Sequence, residues 1–358
     1  MIAYLEAPAK ANIRDWPTLA AGRQLGDDSA FGPARMTSPE AHRDQMTGKQ
    51  RMLKALRFEQ PDRPPHWVSL FAPVLEAFGR DFPDLTDYSK TSPRRRKELL
   101  ADCMPIYRLI VDRYRWDALA VWNPWCDADA VAAAKQEFGD EIMVGAMHGP
   151  NIWSIDHISV DCDWMQFAVD LAENPAKLHD HAEELVQKAE RDIDAIADAG
   201  ADFVLLVDDV AYNAGPFISP PQFAELITPY LRREVQHIAS RGVIPMVHSD
   251  GDLTSVLDEY LSLGAACLHS IDPMAGMDIA EVKRRTHGRM ALMGNVQCDL
   301  LQNGPREAIR RSVLYCLENA APGGGLIFST SNTIFPGMPL ENYDYMLEVF
   351  DEYCRQQS

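Results

Sequence analysis

The stretch VHSDGDL, Val247 to Leu253, crowds a histidine and two aspartates around one glycine, directly after an aliphatic run. A histidine with a carboxylate two residues on is an ordinary beginning for a metal site. Four further polar clusters stand in comparable positions: Asp208-Asp209, His269-Ser-Ile-Asp272, Asn295-Val-Gln297 and Ser329-Thr-Ser-Asn332. His248, Asp250 and Asp209 form the candidate ligand set, with Asp208, Asn295 and Gln297 as further oxygen donors. Imidazole and carboxylate without thiolate make a hard site, suited to activating an ether or alcohol oxygen rather than a thiol. Adjacent carboxylates aimed into one pocket repel, so either Asp208 or Asp209 would titrate late or hold a cation. Plainer readings stand beside these. Asp250 could cap the next helix, one of Asp208 and Asp209 could cap a turn while the other is solvated, and Cys298 could be a small buried hydrophobe.

Eight runs would place these groups: 66–71 (HWVSLF), 117–123, 141–149, 202–209, 242–250, 265–272, 289–297 and 324–332. Most are continuously apolar, as strands buried on both faces of a parallel sheet are. Helical patterns alternate with them. The clearest runs from Pro220 to Ser240, capped by Ser219 with prolines in its first turn, and others cover Leu185–Ala199 and Thr254–Leu263. The expected architecture is α/β, a (β/α)8 TIM barrel, whose strand C-terminal ends converge on one mouth where active sites form. A doubly wound open sheet is the alternative, but no GxGxxG follows an early strand. Five polar clusters at successive strand ends favour an active-site rim over isolated turns. Thr47 opens the barrel portion, 46–358, with TGKQRMLKALRFEQPDRPP, where it caps a short helix that Pro61 to Pro65 stop. Residues 1–45, with weak periodicity, read as an N-terminal extension.

The formal net charge of −19 argues against a nucleic-acid surface. No apolar run approaches the roughly 18–20 residues that a bilayer requires, and the N-terminus lacks the pattern of a secretory signal. Seven scattered cysteines without a CxxC pair read as reduced thiols of a cytoplasmic protein.

Several segments resemble the uroporphyrinogen decarboxylase superfamily: TGKQRMLKALRFEQPDRPP, SPPQFAELITPYLRREVQHI, HSDGDL, GMDIAEVKRRTHGRMALMGNV and APGGGLIFSTSN followed by PGMPLENYDYM. The resemblance runs from about Thr47 to the C-terminus and is strongest to the corrinoid-dependent methyltransferase branch. It implies a barrel that moves methyl groups between small molecules, a corrinoid cofactor and an acceptor. The decarboxylases carry an arginine-rich RQAGR-type segment at the first strand, where this chain has HWVSLFAPVLEAFG. Without those arginines a many-carboxylate tetrapyrrole would bind poorly. Zinc-dependent methyltransferases carry HxC and a second, later Cys. Here those positions hold His248-Ser249-Asp250 and, near the end, Ser331-Asn332.

The resemblance therefore implies Zn²⁺, or failing that direct hydrogen bonding, at His248 and Asp250, near Asp208 or Asp209 and within reach of Asn332. The expected reaction is removal of a methyl group from a methoxy small molecule, aromatic donors included. Because no DxHxxG motif is present, the corrinoid would arrive on a separate protein. Trp122, His148 and Tyr212 follow early strands and would line an aromatic mouth together with Asn295, Gln297 and Asn332. Each aromatic residue has an alternative role in rim packing. The family also implies self-association, as a homodimer. A lyase acting on a small carboxylic acid and a non-catalytic ligand-binding barrel are the competing readings.

Overall fold

Seven of the eight apolar runs form one parallel sheet in the computed structural model, which describes residues 46–149 and 151–357. Its strands are β1 (Ala118–Val121), β2 (Met143–His148), β3 (Phe203–Val207), β6 (Ile244–His248), β7 (Cys267–His269), β8 (Ala291–Val296) and β9 (Leu326–Thr330), adjacent in that order. Between β3 and β6, β4 (Ala211–Tyr212) and β5 (Gly215–Pro216) make a small antiparallel hairpin. The sheet is curled and flanked by helices, consistent with a TIM-like barrel. Nearly every sheet residue is buried, which is why these strands lack polar alternation. The buried side chains form a single apolar cluster reaching from Met52 to Phe350. The expected extension, residues 1–45, lies outside the described residues.

The run 66–71 departs from expectation. It forms isolated parallel bridges, His66 to Phe328 and Phe71 to Ile334, rather than a strand. Its backbone nevertheless reaches both edges of the sheet: Trp67 N donates to Phe328 O (3.3 Å), and Asp117 N donates to His66 O (2.8 Å). Pro64, Pro65 and Pro73 bracket the run and remove donors that a continuous ladder needs.

Local chemistry sets the helix ends. Thr47 and Gln50 form a reciprocal capping box at the start of helix Gly48–Leu56. The run expected as one helix from Pro220 to Ser240 is two, Pro220–Leu226 and Thr228–Ser240. Pro229 explains the break, because it lacks an N–H and its ring crowds the carbonyl four residues back. Leu185–Ala199 belongs to a longer helix, Pro175–Asp198. The helix expected from Thr254 starts at Leu257, because Asp252 accepts from Thr254 N (2.8 Å) and holds a turn there.

Candidate active site

His248 ends β6, and the parallel register pairs it with Val207 on β3 and with His269 on β7. Asp209, two residues beyond Val207, and Asp250 therefore come together past the C-terminal ends of adjacent strands. His248 Nε2 lies 3.5 Å from Asp209 Oδ1 and 3.8 Å from Asp250 Oδ1. Asp250 N donates to Asp209 Oδ1 at 2.8 Å, and Asn332 Nδ2 donates to Asp250 Oδ2. One ligand atom from each of Asp209, His248 and Asp250 lies within 4.8 Å of the others.

Gly251 makes the turn possible. Its φ is +85°, and a Cβ there would stand 2.3 Å from the Ala211 carbonyl oxygen. Asp252 N then donates to Tyr212 O (3.0 Å), stitching the loop after β6 to the β4–β5 hairpin. VHSDGDL is thus a rim turn whose His248 and Asp250 side chains converge.

Hydrogen bonding orients the imidazole of His248. His269 Nε2 is 3.3 Å from Thr330 O, which can only accept, so His269 carries its proton on Nε2. His269 Nδ1 is then an acceptor, and His248 Nδ1, 2.7 Å away, donates to it. Burial lowers the pKa of both rings; the His269 shift is further helped by His248, whereas Asp209 pulls His248 the other way. This leaves the lone pair of His248 Nε2 facing two carboxylate oxygens. Asp250 Oδ1 is fully covered and has no hydrogen-bond partner. Burial, then the charges of Asp209 and Asp272, push the Asp250 carboxyl well above the usual range. Three acceptors converging with no lysine or arginine paired to them favour a cation or a proton among them. The residues thus fit a divalent metal, with an N/O donor set.

Asp208 points elsewhere. Its Oδ1 accepts from Asn151 N (2.8 Å) and Ile152 N (3.4 Å), while its buried Oδ2 has no partner. Burial, opposed by those amides and helped by Asp209, raises its carboxyl to about 7. Asn151 Nδ2 contacts both His148 Nδ1 (2.6 Å) and Glu234 Oε2 (3.3 Å). Burial and Asp208 together keep Glu234 well above the ordinary carboxylate range. Of the two aspartates either of which is expected near His248, Asp209 stands there, and Asp208 belongs to this second buried group with His148, Asn151 and Glu234.

Of the expected substrate contacts, Asn332 meets Asp250. Asn295 is buried and donates through Nδ2 to Ile271 O (2.9 Å), and Gln297 forms the N-cap of helix Cys298–Asn303. Trp122 packs against Tyr107, with ring centroids 4.8 Å apart, and Phe82 at 5.9 Å. Tyr212 is half exposed on the hairpin. The sequence places His269 in a rim cluster without assigning it a role, and it singles out neither Asn151 nor Glu234. The repeated His-Ser pair at 248 and 269 was a usable signal for the first. Glu234 interrupts the buried stripe Leu231, Val235, Ile238 of its helix, a weaker signal.

A parallel α/β barrel-like sheet with an acidic, histidine-bearing mouth defines the class. The chain belongs to the uroporphyrinogen decarboxylase (URO-D) family, whose model matches residues 127–353. A uroporphyrinogen decarboxylase of Thermus thermophilus is 29% identical over 174 residues, 49% of this chain and 48% of that protein. One from Pseudomonas fluorescens is 25% identical over 254 residues, 67% of this chain and 68% of its own. The match thus spans about half the length of the Thermus relative. Among solved structures, a methyltransferase from Methanosarcina mazei superposes with TM-score 0.67 at 18% identity, over 86% of this chain and 99% of its own. A putative vitamin-B12-independent methionine synthase from Listeria monocytogenes gives TM-score 0.54 at 12% identity, over 81% and 98%. These two show likeness of fold. Among the described residues no helix is long and apolar enough to cross a membrane.

Proposed function

We propose that this chain is a methyltransferase that removes a methyl group from a methoxy small molecule and passes it to a corrinoid carried on a separate protein. The reaction would occur at the mouth of a barrel spanning residues 46–358, completed by the 66–71 segment. The observation that carries the reading is the convergence of His248 Nε2, Asp209 Oδ1 and Asp250 Oδ1 with, among the described residues, no lysine or arginine paired to them. Those three residues would hold Zn²⁺, which as a Lewis acid polarises the methoxy oxygen and stabilises charge left on it as the methyl departs. His269 fixes the His248 ring so that Nε2 faces the site, and Asn332 fixes the Asp250 carboxyl. Without metal, an Asp250 carboxyl kept protonated by burial can donate to the same oxygen.

A lyase acting on a carboxylic acid fits less well. Among the described residues no arginine or lysine hydrogen-bonds or ion-pairs with Asp208, Asp209, His248 or Asp250, so an anionic substrate would meet like charge. The deciding experiment supplies methoxy compounds and cob(I)alamin to the Zn²⁺-loaded protein and follows methylcobalamin. Formation that His248→Ala abolishes supports the proposal. Release of carbon dioxide from a small acid, with no methyl transfer, would replace it with the lyase.

A further inference from the structure

We propose that His157, Cys162 and His181 form a second divalent-metal site, suited to Zn²⁺, which clips the segment leaving β2 to the long helix Pro175–Asp198. His157 lies on the short helix Ile155–Asp161, Cys162 is the residue that ends it, and His181 lies in the second turn of the long helix. His157 Nε2 and His181 Nε2 are 3.0 Å apart, and Cys162 Sγ is 3.7 Å from His157 Nε2. The three atoms lie within 4.8 Å of one another. Tetrahedral Zn²⁺ with ordinary bond lengths sets two nitrogens about 3.3 Å apart and nitrogen and sulfur about 3.6 Å apart. The side chains already stand near that spacing.

The outer partners favour the same occupant. His157 Nδ1 lies 3.2 Å from Asp161 Oδ2, and His181 Nδ1 lies 3.9 Å from Glu184 Oε2. Asp161 draws the proton of a neutral His157 to Nδ1, which turns the His157 Nε2 lone pair towards His181 Nε2. A metal ion held by the two Nε2 atoms, now 3.0 Å apart, would replace the hydrogen bond that joins them. Trp153 sets the rings by packing on both, with centroids 5.5 Å from His157 and 5.0 Å from His181. His157 is buried but Cys162 is exposed, so an ion reaches the site from solvent. The mixed imidazole–thiolate donors are softer than the N/O set at the mouth, so the two sites differ in metal preference.

The clip has a consequence for the mouth. Asn151 N donates to Asp208 Oδ1 (2.8 Å), and Ile155 N donates to Asp209 O (2.7 Å). The segment that the metal would tether therefore carries backbone donors to the Asp208 carboxylate and to the Asp209 main-chain carbonyl. Asp156, on the same helix, also feels the charge of Asp209. A metal joining residues 157 and 162 to 181 would hold this wall of the mouth in place.

The test uses Co²⁺ as the spectroscopic probe and Zn²⁺ as the stabilising ligand. Co²⁺-loaded native protein should show a thiolate-to-metal charge-transfer band, which is lost in Cys162→Ser and retained in His248→Ala. Zn²⁺ should raise the melting temperature of His248→Ala but not of His248→Ala combined with His181→Ala. Asp161→Asn should weaken binding about 10–100-fold. Circular dichroism of each metal-free variant checks that it is folded. Absence of a thiolate band from folded native protein, or its persistence in Cys162→Ser, would overturn the proposal. Neither result depends on methyl transfer or on the mouth binding metal.

Discussion

At the N-terminal end of the sheet, Asp117 precedes β1 and accepts from Arg51, from Arg63 and from His66 N. Arg51 also grips Asp62 through both carboxylate oxygens, at 2.6 and 2.9 Å. At the C-terminal end, Asp208, Asp209, Glu234 and Asp250 gather with histidines and amides, and no lysine or arginine bonds to Asp208, Asp209 or Asp250 among the described residues. Both ends hide charge, yet only one carries its own compensation. A buried ion pair with satisfied hydrogen bonds is stable where it stands. A buried set of acids and a free imidazole lone pair is instead organised to receive something positive, a metal or a proton. The two polar clusters of one fold thus differ in whether the chain supplies the counter-charge.

The comparison can be broken most forcefully at Asp117. Asp117→Ala leaves Arg51 and Arg63 buried without it and should cost about 3–5 kcal/mol in urea unfolding. A loss below about 1 kcal/mol would mean that this end is no more structural than the other. At the mouth the signs reverse. His248→Ala and Asp250→Asn should each lower methyl transfer about 10²–10³-fold, while the melting temperature of the metal-free protein changes by only about a few degrees. Unfolding of either variant at the temperature of the assay would erase the contrast.

Acid and base should also separate the two ends. The Asp208 carboxyl rises from its ordinary 3.8 to about 7 in the folded chain, so folding takes up a proton between those values. Its contribution to stability is therefore greatest below about pH 4 and declines as the pH climbs to about 7. Asp62 behaves oppositely. Burial works against its ionised form, but the Arg51 bonds prevail and hold it below 3.8. Its contribution is present above that value and lost as acid titrates the folded carboxyl. Denaturation of metal-free protein across this range should show Asp208→Asn flattening the slope between pH 4 and 7; an unchanged slope would remove Asp208 from the account.

The smallest of these effects concerns the turn. Gly251→Ala forces a side chain into a left-handed backbone and against the Ala211 carbonyl. It should cost about 1–3 kcal/mol by thermal melting and weaken Zn²⁺ binding at the mouth, because the turn aims Asp250. Wild-type stability and metal affinity in this variant would show that the turn does not need glycine.

Much of the mouth was legible because polar residues interrupt continuous apolar strands at one end, and parallel pairing brings those ends together. His248, Asp250, Asp209 and Asn332 were found in that way. The direction of Asp208 was not, since adjacent residues at a strand end point to opposite sides and only the Asn151 loop decides which side is occupied. Trp122 shows the reverse case, a residue in the right place along the chain whose ring is taken up by Tyr107 and Phe82. The Arg51–Asp117 pair joins residues 66 apart and leaves no local pattern to read. The shortened first run was hidden because its residues are apolar enough for a strand while its flanking prolines limit pairing to isolated bridges.

X-ray absorption of Zn²⁺ bound to the Cys162→Ser variant reads the shell of the ion at the mouth, because that substitution removes sulfur from the second site. The expected result is a tightly bound ion whose shell contains only nitrogen and oxygen, and which His248→Ala added to the same variant releases. A protein that binds no Zn²⁺ tightly, or whose ion remains when His248 is gone, would contradict it.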